Sequence, residues 1–227
     1  MSARILVGCP TSEHKAYCLR EYAEGLSRLA YPSFDVLLVD NSEGIEYSRK
    51  IQDLGFDVVR GLFLPRAKER IVASRNLLRE RFLQGGYDYL FSLEQDVIPP
   101  ADALERLLRH GKHIMSGVVF TRFEIQGEKR IKPLLWGFSE DPDQMRFMDT
   151  EVATPGLYQI RACGLGCLLL HRDVLEKIPF RLLTDRSTFD DVPFCKDAYD
   201  FGFEMYADTS VKCRHLIEGM KWDQIDR

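Results

Sequence analysis

The chain has 227 residues, 45% of them hydrophobic and 29% charged, which is an ordinary globular composition and enough length for one substantial core. A net charge of -4 without a dense basic face excludes a typical nucleic-acid-binding protein. No apolar stretch reaches the roughly 18 residues of a membrane span, and no long apolar leader follows Met1, so we expect a cytoplasmic protein. The six cysteines lack the paired C-x-x-C spacing of a zinc site and are expected to be reduced and mostly buried.

Strands and helices alternate through the first half of the chain. Apolar runs predict strands at 4–8, 34–39, 57–62 and 87–93, and apolar spacings of three and four predict helices after Ser12, over 65–84 and over 102–109. This rhythm predicts a three-layer α/β/α sandwich with a mostly parallel central sheet.

The second half is less regular. We predict strands at 113–120, 132–138, 158–162 and 204–207, a helix that follows Gly166 and ends near Ile178, a helix over 190–201, and loops over 122–130 and 139–155. The whole chain, 1–227, is expected to form one domain, with a nucleotide-binding half over about 1–100 and an acceptor-binding half over about 101–227.

Two carboxylates end the apolar strand 87–93. Side chains alternate faces along a strand, so we expect Glu94 and Asp96 to lie on the same side of the sheet and Gln95 to point away. Ligands of open α/β sheets bind at the carboxyl ends of strands, where two oxygen ligands suit Mg²⁺ or Mn²⁺ carrying a diphosphate. The alternative is that both residues only cap the following turn.

Two other strand ends offer polar groups at the same edge. Pro10 and Thr11 follow the first strand, and Asp40 follows the second, where its carboxylate can accept hydrogen bonds from a base or a ribose. Each is also an ordinary turn or helix-capping residue. The first turn lacks the G-x-G-x-x-G pattern, and no G-x-x-x-x-G-K-[ST] pattern occurs, so nicotinamide enzymes and P-loop proteins lose their main support.

The second half contributes three further candidates. The turn Gly164, Leu165 and Gly166 either lets the backbone approach a sugar or only shapes a tight turn. Asp190 and Asp191 begin a helix, where one acid can serve as a general base or both can serve as caps. His215 ends an alternating run, and an imidazole beside carboxylates suits Mn²⁺-like metals.

In this order the motifs resemble those of the inverting family 2 glycosyltransferases with the GT-A fold. The matching segments run from Arg4 to about Leu216 and are Pro10-Thr11, Asp40, Ser74-Arg75-Asn76, Glu94-Gln95-Asp96, Gly164-Leu165-Gly166, Asp190-Asp191 and His215. Two residues depart from the family pattern: Glu94 replaces the usual first aspartate, and Asp190 replaces the usual glutamate.

The resemblance implies a role for each residue. Asp40 would contact the nucleobase or ribose, Asp96 and His215 a Mn²⁺ or Mg²⁺ ion, and Glu94 either the ribose or the metal. Pro10 and Thr11 would contact the nucleotide sugar, and Arg75 would lie beside the diphosphate or orient the acidic strand end. The acceptor would lie beside Gly164, Leu165, Gly166 and Asp190, and Asp191 would be the catalytic base. The partners implied are a nucleotide-diphosphate sugar and a carbohydrate or other hydroxyl acceptor.

Two other functions remain open. A sugar-nucleotide pyrophosphorylase shares this architecture but needs a glycine-rich basic loop where this chain has Cys9-Pro10-Thr11. A non-catalytic nucleotide-sugar or carbohydrate-binding relative is compatible with the altered Glu94.

Overall fold

The computed structural model of the chain describes residues 2–141, 144–185 and 188–217, which contain six α-helices and fifteen strands. The helices are α1 (Leu19–Ser27), α2 (Glu46–Asp53), α3 (Ala67–Gln84), α4 (Ala103–Leu108), α5 (Arg172–Lys177) and α6 (Asp191–Asp200). The strands are β1 (Ile5–Thr11), β2 (Phe34–Asp40), β3 (Asp57–Arg60), β4 (Tyr89–Leu93), β5 (Val97–Ile98), β6 (Ile114–Val118), β7 (Phe120–Ile125), β8 (Glu128–Pro133), β9 (Leu135–Phe138), β10 (Met145–Phe147), β11 (Leu157–Ile160), β12 (Ala162–Cys163), β13 (Cys167–His171), β14 (Met205–Lys212) and β15 (Arg214–His215).

Eight strands form the main sheet in the order β11-β14-β6-β13-β4-β1-β2-β3. The pairs of β1 with β2 and β4, of β2 with β3, and of β6 with β14 are parallel, whereas β13 runs antiparallel between β4 and β6. The carboxyl ends of the parallel strands therefore meet at one edge of the sheet, here called the carboxyl edge. The opposite edge is called the amino edge.

Helices cover both faces of this sheet, as the sequence predicts. Alternate residues of β1 face opposite ways: Ile5, Val7 and Cys9 join one apolar cluster, and Leu6 joins another. The first cluster includes buried residues of α1, α2 and α4, and the second includes residues of α3, α5 and α6. These two clusters give the α/β/α sandwich. All six cysteines are buried free thiols, as expected.

Close packing of α3 on the sheet requires a glycine in β1. A Cβ atom added at Gly8 would lie 2.9 Å from a methyl carbon of Leu90 and 3.3 Å from one of Leu78 in α3. The absent side chain lets α3 approach the sheet, and this helix carries a residue of the site described below.

Three predictions of secondary structure are wrong. The predicted loop over 122–130 is a hairpin of β7 and β8, whose turn has positive φ at Gln126 (53°) and Gly127 (78°). The predicted loop over 139–155 contains β10 and a 3₁₀ helix, Glu151–Ala153. Residues 167–171, expected within a helix, form the buried strand β13, because a short apolar run has no periodicity that separates strand from helix.

Other elements differ from the prediction in their bounds or type, and one observed helix is not predicted. The strand predicted at 113–120 divides into β6 of the main sheet and β7 of the hairpin. The helix predicted after Ser12 begins as a 3₁₀ helix, Glu13–Cys18, and continues as α1. Helix α2 is absent from the prediction because it buries only Tyr47, Ser48 and Ile51 and is otherwise polar. No helix within the described ranges combines the length and apolar character needed to cross a bilayer.

The second apolar cluster depends on Phe82, whose side chain is fully buried and stacks on Tyr87 at 6.2 Å between ring centroids. We expect Phe82→Ala to lower the free energy of unfolding by about 3–5 kcal/mol, because it removes a large buried ring and leaves a cavity. Urea unfolding measures this change. The control is Phe201→Ala, at a phenylalanine that is 57% exposed, and an equal loss in both variants would contradict the assignment of Phe82 to the core.

Candidate functional site

A cavity of about 410 Å³ opens at the carboxyl edge of the main sheet, within the size range of small-ligand sites. It brings together residues that follow β1, β2 and β4 with residues of α3, α6 and the turn before β13. The sequence-predicted residues that line it are Pro10, Thr11, Arg75, Glu94, Gly164, Leu165, Gly166, Asp190 and Asp191.

Arg75 of α3 is the charge at the base of the cavity. Its side chain is only 3% exposed, donates from Nη1 to Ser92 Oγ at 2.9 Å, and donates from Nη2 to Glu94 Oε1 at 2.7 Å. Its Nε lies 2.8 Å from Asp190 Oδ2, close enough for an ion pair but without the alignment of a hydrogen bond. Burial lowers the pKa of Arg75, yet the two carboxylates raise it above its ordinary value. Arg75 is therefore not a solvated arginine on a charged helix face.

The two acids at the start of α6 have different surroundings. Asp190 is 3% exposed and paired with Arg75, whereas Asp191 is half-buried and accepts the Val192 backbone N–H at 2.9 Å. Burial, followed by the nearby charge of Asp190, raises the pKa of Asp191 above its ordinary value. Asp191 is thus a cavity carboxylate with increased proton affinity, and Asp190 is the counter-ion of Arg75.

Glu94 and Asp96 both lie at the carboxyl edge, but the reasoning from strand alternation is wrong. Strand β4 ends at Leu93, and residues 94–97 form a turn closed by the Val97 N–H bonded to the Glu94 carbonyl at 2.9 Å. In this 94–97 turn, the Glu94 side chain contacts Arg75, whereas the Asp96 side chain contacts Lys15 and His215. Glu94, Asp96 and His215 therefore do not offer three ligand atoms within 4.8 Å of one another.

Asp96 lies beside the cavity between two basic side chains. Its Oδ2 accepts a hydrogen bond from Lys15 Nζ and lies 3.4 Å from His215 Nε2. Burial raises the pKa of Asp96, but the interactions with His215 and Lys15 outweigh it and lower the pKa to about 2. Its Oδ1 is buried and lacks a hydrogen-bond partner among the described residues.

The pair Asp96 and His215 fits a divalent metal ion, and Glu94 does not join it. His215 Nδ1 lies 2.8 Å from the Phe120 carbonyl. Metal binding by Nε2 would require the neutral tautomer in which Nδ1 donates to this carbonyl, instead of the form in which Nε2 donates to Asp96. A carboxylate with one unpartnered buried oxygen, Oδ1, and its other oxygen 3.4 Å from His215 Nε2 is a suitable donor set, because Mg²⁺ commonly takes one or two protein ligands and completes its shell with phosphates and water. Lys15 would have to leave Asp96 Oδ2 when such an ion binds.

Asp40 lies at the carboxyl edge but is fully buried and occupied by internal partners. Its Oδ1 accepts the Ser42 backbone N–H at 2.9 Å and the Ser42 hydroxyl at 2.5 Å, and its Oδ2 accepts Ser48 Oγ at 2.5 Å and Arg60 Nη1 at 2.7 Å. Four bonds fill the acceptor capacity of a carboxylate. In this structure Asp40 organises the loop after β2, and its contact with a nucleotide stays a prediction.

Gln95 organises the residues after β1. It is 1% exposed, and its Oε1 accepts hydrogen bonds from Thr11 Oγ1 and, at 2.8 Å, from Tyr47. Its Nε2 donates to the Lys15 carbonyl at 2.6 Å. Gln95 thereby fixes the segment from Thr11 to Lys15 against the 94–97 turn.

The turn 164–166 lies directly against the cavity floor. The Glu94 N–H donates to the Gly166 carbonyl at 3.0 Å, and a Cβ atom at Gly166 would lie 3.4 Å from Glu94 Oε2. A Cβ atom at Gly164 would lie 3.2 Å from Leu134. The glycines permit close packing and lie at the cavity surface, and the approach of their backbone to a sugar stays a prediction.

Sequence reasoning missed several lining residues. These are His14, Lys15, Asn41, Ala67, Arg70, Ile71, Gln95, Val119, Leu134 and Phe189, of which Lys15 and Gln95 make the contacts described above. The available signal was the position of Lys15, four residues after the end of β1. A lysine so close to a ligand-binding strand end can reach an anion or a carboxylate at that edge.

Comparison with solved structures identifies the fold. A197 from STIV aligns with a TM-score of 0.50 and 16% identity over 95% of this chain and 86% of A197. Staphylococcus aureus TarS 1–349 in complex with UDP aligns with a TM-score of 0.59 and 13% identity, and the complex with UDP-GlcNAc with 0.58 and 13%. The fold is the GT-A fold.

The similarity to TarS covers 92% of this chain but only 59% and 57% of the two TarS chains. No protein-family model matches the sequence, and no curated protein matches it. Identities of 13–16% establish the GT-A architecture alone.

The surroundings of Asp96 predict a pH dependence of stability. Its folded pKa of about 2 lies below the ordinary value of 3.8, so its contribution is present above pH 4 and is lost as the pH falls towards 2. We expect Asp96→Asn to remove roughly 1 kcal/mol of the stability that the native protein loses between pH 5 and pH 3.

Urea unfolding at pH 5, 4 and 3 measures this difference. Asp102→Asn is the control, because the Asp102 side chain is 53% exposed. Equal pH dependence in the native protein and the Asp96→Asn variant would show that the Lys15 and His215 contacts do not perturb Asp96.

Proposed function

We propose that the chain is a glycosyltransferase that moves a sugar from a nucleotide-diphosphate sugar to an acceptor hydroxyl within the carboxyl-edge cavity. Its GT-A fold supports this, and TarS, which shares that fold, has been crystallised with UDP and with UDP-GlcNAc. The observation that carries the proposal is the unequal pair at the start of α6. Asp190 is paired with Arg75, whereas Asp191 lines the cavity and has a pKa that is raised chiefly by burial.

Asp191 acts as the general base in the proposed reaction. The acceptor oxygen attacks the anomeric carbon as its proton passes to Asp191, and the bond from that carbon to the diphosphate oxygen breaks. A carboxylate with raised pKa takes this proton more readily than an ordinary aspartate. A single displacement inverts the configuration of the anomeric carbon.

The donor occupies the side of the cavity formed by the ends of β1, β2 and β4. Pro10 and Thr11, the last two residues of β1, supply its floor, and Glu94, held by Arg75, contacts a ribose hydroxyl rather than a metal. The backbone of Gly164, Leu165 and Gly166 lies on the acceptor side with Asp190 and Asp191. Arg75 holds Glu94 and the α6 acids at fixed positions and places a positive charge below the diphosphate.

Asp96 and His215 would hold a Mn²⁺ or Mg²⁺ ion. When bound, this ion neutralises the charge that develops on the leaving diphosphate. Lys15, released from Asp96, remains within the cavity lining as a second positive charge for the phosphates.

A panel of nucleotide sugars with Mn²⁺ or Mg²⁺ tests the function. Transfer or slow hydrolysis releases a nucleoside diphosphate, which a coupled phosphatase assay detects. Release of a nucleoside triphosphate from a nucleotide sugar and pyrophosphate would instead identify a pyrophosphorylase. Nucleotide-sugar binding without product would identify a non-catalytic relative.

The base assignment predicts opposite results for two adjacent substitutions. Asp191→Asn keeps the shape of the side chain but cannot take a proton, so we expect turnover to fall on the order of 10²-fold or more with little change in nucleotide affinity. Asp190→Asn is the matched variant and should chiefly lower stability, because it leaves Arg75 with one carboxylate fewer. The measurements are steady-state turnover, calorimetric nucleotide affinity and urea unfolding.

Other outcomes would change the mechanism. Near-normal turnover of Asp191→Asn would exclude Asp191 as the base.

In the native enzyme, activity should also fall as the pH drops through the raised pKa of Asp191, because only the unprotonated carboxylate accepts the acceptor proton.

The metal assignment predicts metal-dependent nucleotide affinity. We expect Mn²⁺ to strengthen binding of a nucleoside diphosphate at least tenfold in the native protein, because the ion separates the phosphates from Asp96 and Glu94. Asp96→Ala should remove this effect, whereas Asp102→Asn should retain it. Equal affinity with Mn²⁺ and with a chelator in the native protein would contradict the metal role.

A further inference from the structure

Two histidines and an aspartate lie together at the amino edge of the sheet, away from the cavity. One ligand atom from each of His113, His171 and Asp173 lies within 4.8 Å of the other two. His113 Nε2 is 3.5 Å and His171 Nδ1 is 3.4 Å from Asp173 Oδ2. Donor atoms about 2.1 Å from a tetrahedral zinc ion are separated from one another by about 3.4 Å, so the two measured distances already match such an ion.

Paired strands and a helix start fix the positions of the three residues. His113 immediately precedes β6, His171 ends β13, and the His171 N–H donates to the His113 carbonyl at 2.8 Å. Asp173 lies in the first turn of α5, two residues after His171. His171 and Asp173 lie on regular elements, which hold donors more exactly than loops do, and the hydrogen bond from His171 fixes the His113 backbone.

Aromatic neighbours also orient the two imidazole rings. The His171 ring meets the Tyr89 ring edge-on, with centroids 5.0 Å apart, and the His113 ring lies 5.8 Å from the Phe203 ring. The two imidazoles are 5.1 Å apart and nearly perpendicular. These ring contacts restrict imidazole rotation and keep the nitrogens near Asp173.

His171 Nδ1 is in the form that a metal requires. It accepts the Asp173 backbone N–H at 3.3 Å, so it has a lone pair and no proton. This hydrogen bond is long, and a metal ion that replaces it displaces only a weak partner. The side chains of His113 and Asp173 are each 52% exposed, which leaves room for water to complete the coordination shell.

We propose that His113, His171 and Asp173 form a second metal site, which binds Zn²⁺ or a similar transition-metal ion and joins β6, β13 and α5. Two imidazole nitrogens and one carboxylate oxygen favour Zn²⁺, Co²⁺ or Ni²⁺ over Mg²⁺ and Ca²⁺. The ion would bind the folded state and not the unfolded state, and it would therefore raise the free energy of unfolding.

This site is separate from the cavity. His171 pairs with Tyr89 at the start of β4, whereas Cys167 pairs with Leu93 at its end, next to Glu94. Four residues of strand place the two sites about 13 Å apart along β4. The proposal does not depend on the glycosyltransferase assignment.

Titration of untagged full-length Asp96→Ala protein with Zn²⁺ tests the proposal, because this background lacks the aspartate at the cavity. We expect one equivalent of Zn²⁺ by calorimetry, a visible absorption spectrum of low-symmetry Co²⁺ with Co²⁺ in its place, and a midpoint of thermal unfolding raised by roughly 5 °C in saturating Zn²⁺. Adding His113→Ala or Asp173→Asn should weaken Zn²⁺ binding at least tenfold and abolish the thermal shift.

The control substitution is Glu176→Gln, at another exposed carboxylate of α5, which should bind Zn²⁺ as the parent does. Circular dichroism of each apo variant separates lost binding from lost folding. Zn²⁺ binding that is unchanged by both His113→Ala and Asp173→Asn, or absent from the folded Asp96→Ala parent at micromolar Zn²⁺, would overturn the proposal.

Discussion

The buried guanidinium of Arg75 is the interaction on which the cavity depends. A charge that is 3% exposed is tolerated only when it is paired and hydrogen-bonded, and Arg75 has Glu94, Asp190 and Ser92 as partners. These partners belong to the 94–97 turn, the start of α6 and the end of β4. The cost of burying one charge is thus offset by contacts that fix three parts of the site relative to α3.

The same arrangement separates the roles of neighbouring acids. Asp190 satisfies Arg75, and Asp191, one residue later, points to a different environment because successive helical residues differ by about 100°. On the other side of the cavity, Asp96 is compensated by Lys15 and His215 instead of Arg75. Glu94 and Asp190 thus share Arg75, Asp96 is paired with Lys15 and His215, and Asp191 differs from them in its raised pKa.

The sequence was sufficient for the layers of the fold and for nine of the residues that line the cavity. Polar residues after β1 and β4 were predicted to share one edge because parallel strands end together, and Thr11 and Glu94 do line one cavity. The sequence was insufficient where tertiary contacts decide the local structure. The apolar run 167–171 becomes a strand because β4 and β6 flank it, and Asp96 turns towards Lys15 because β4 ends at Leu93. Neither contact has a local sequence signal.

The strand order has a consequence for how the chain folds. Strands β1 to β4 occupy adjacent places, so the first half can assemble through short crossovers, whereas β13 must pair with β4 from about 75 residues further along the chain. Before α6 packs against the sheet, Arg75 lacks its partner Asp190. The partly formed sheet then contains a guanidinium charge without one of its two carboxylate partners. We therefore expect the late docking of the second half and the completion of the cavity to be one kinetic event.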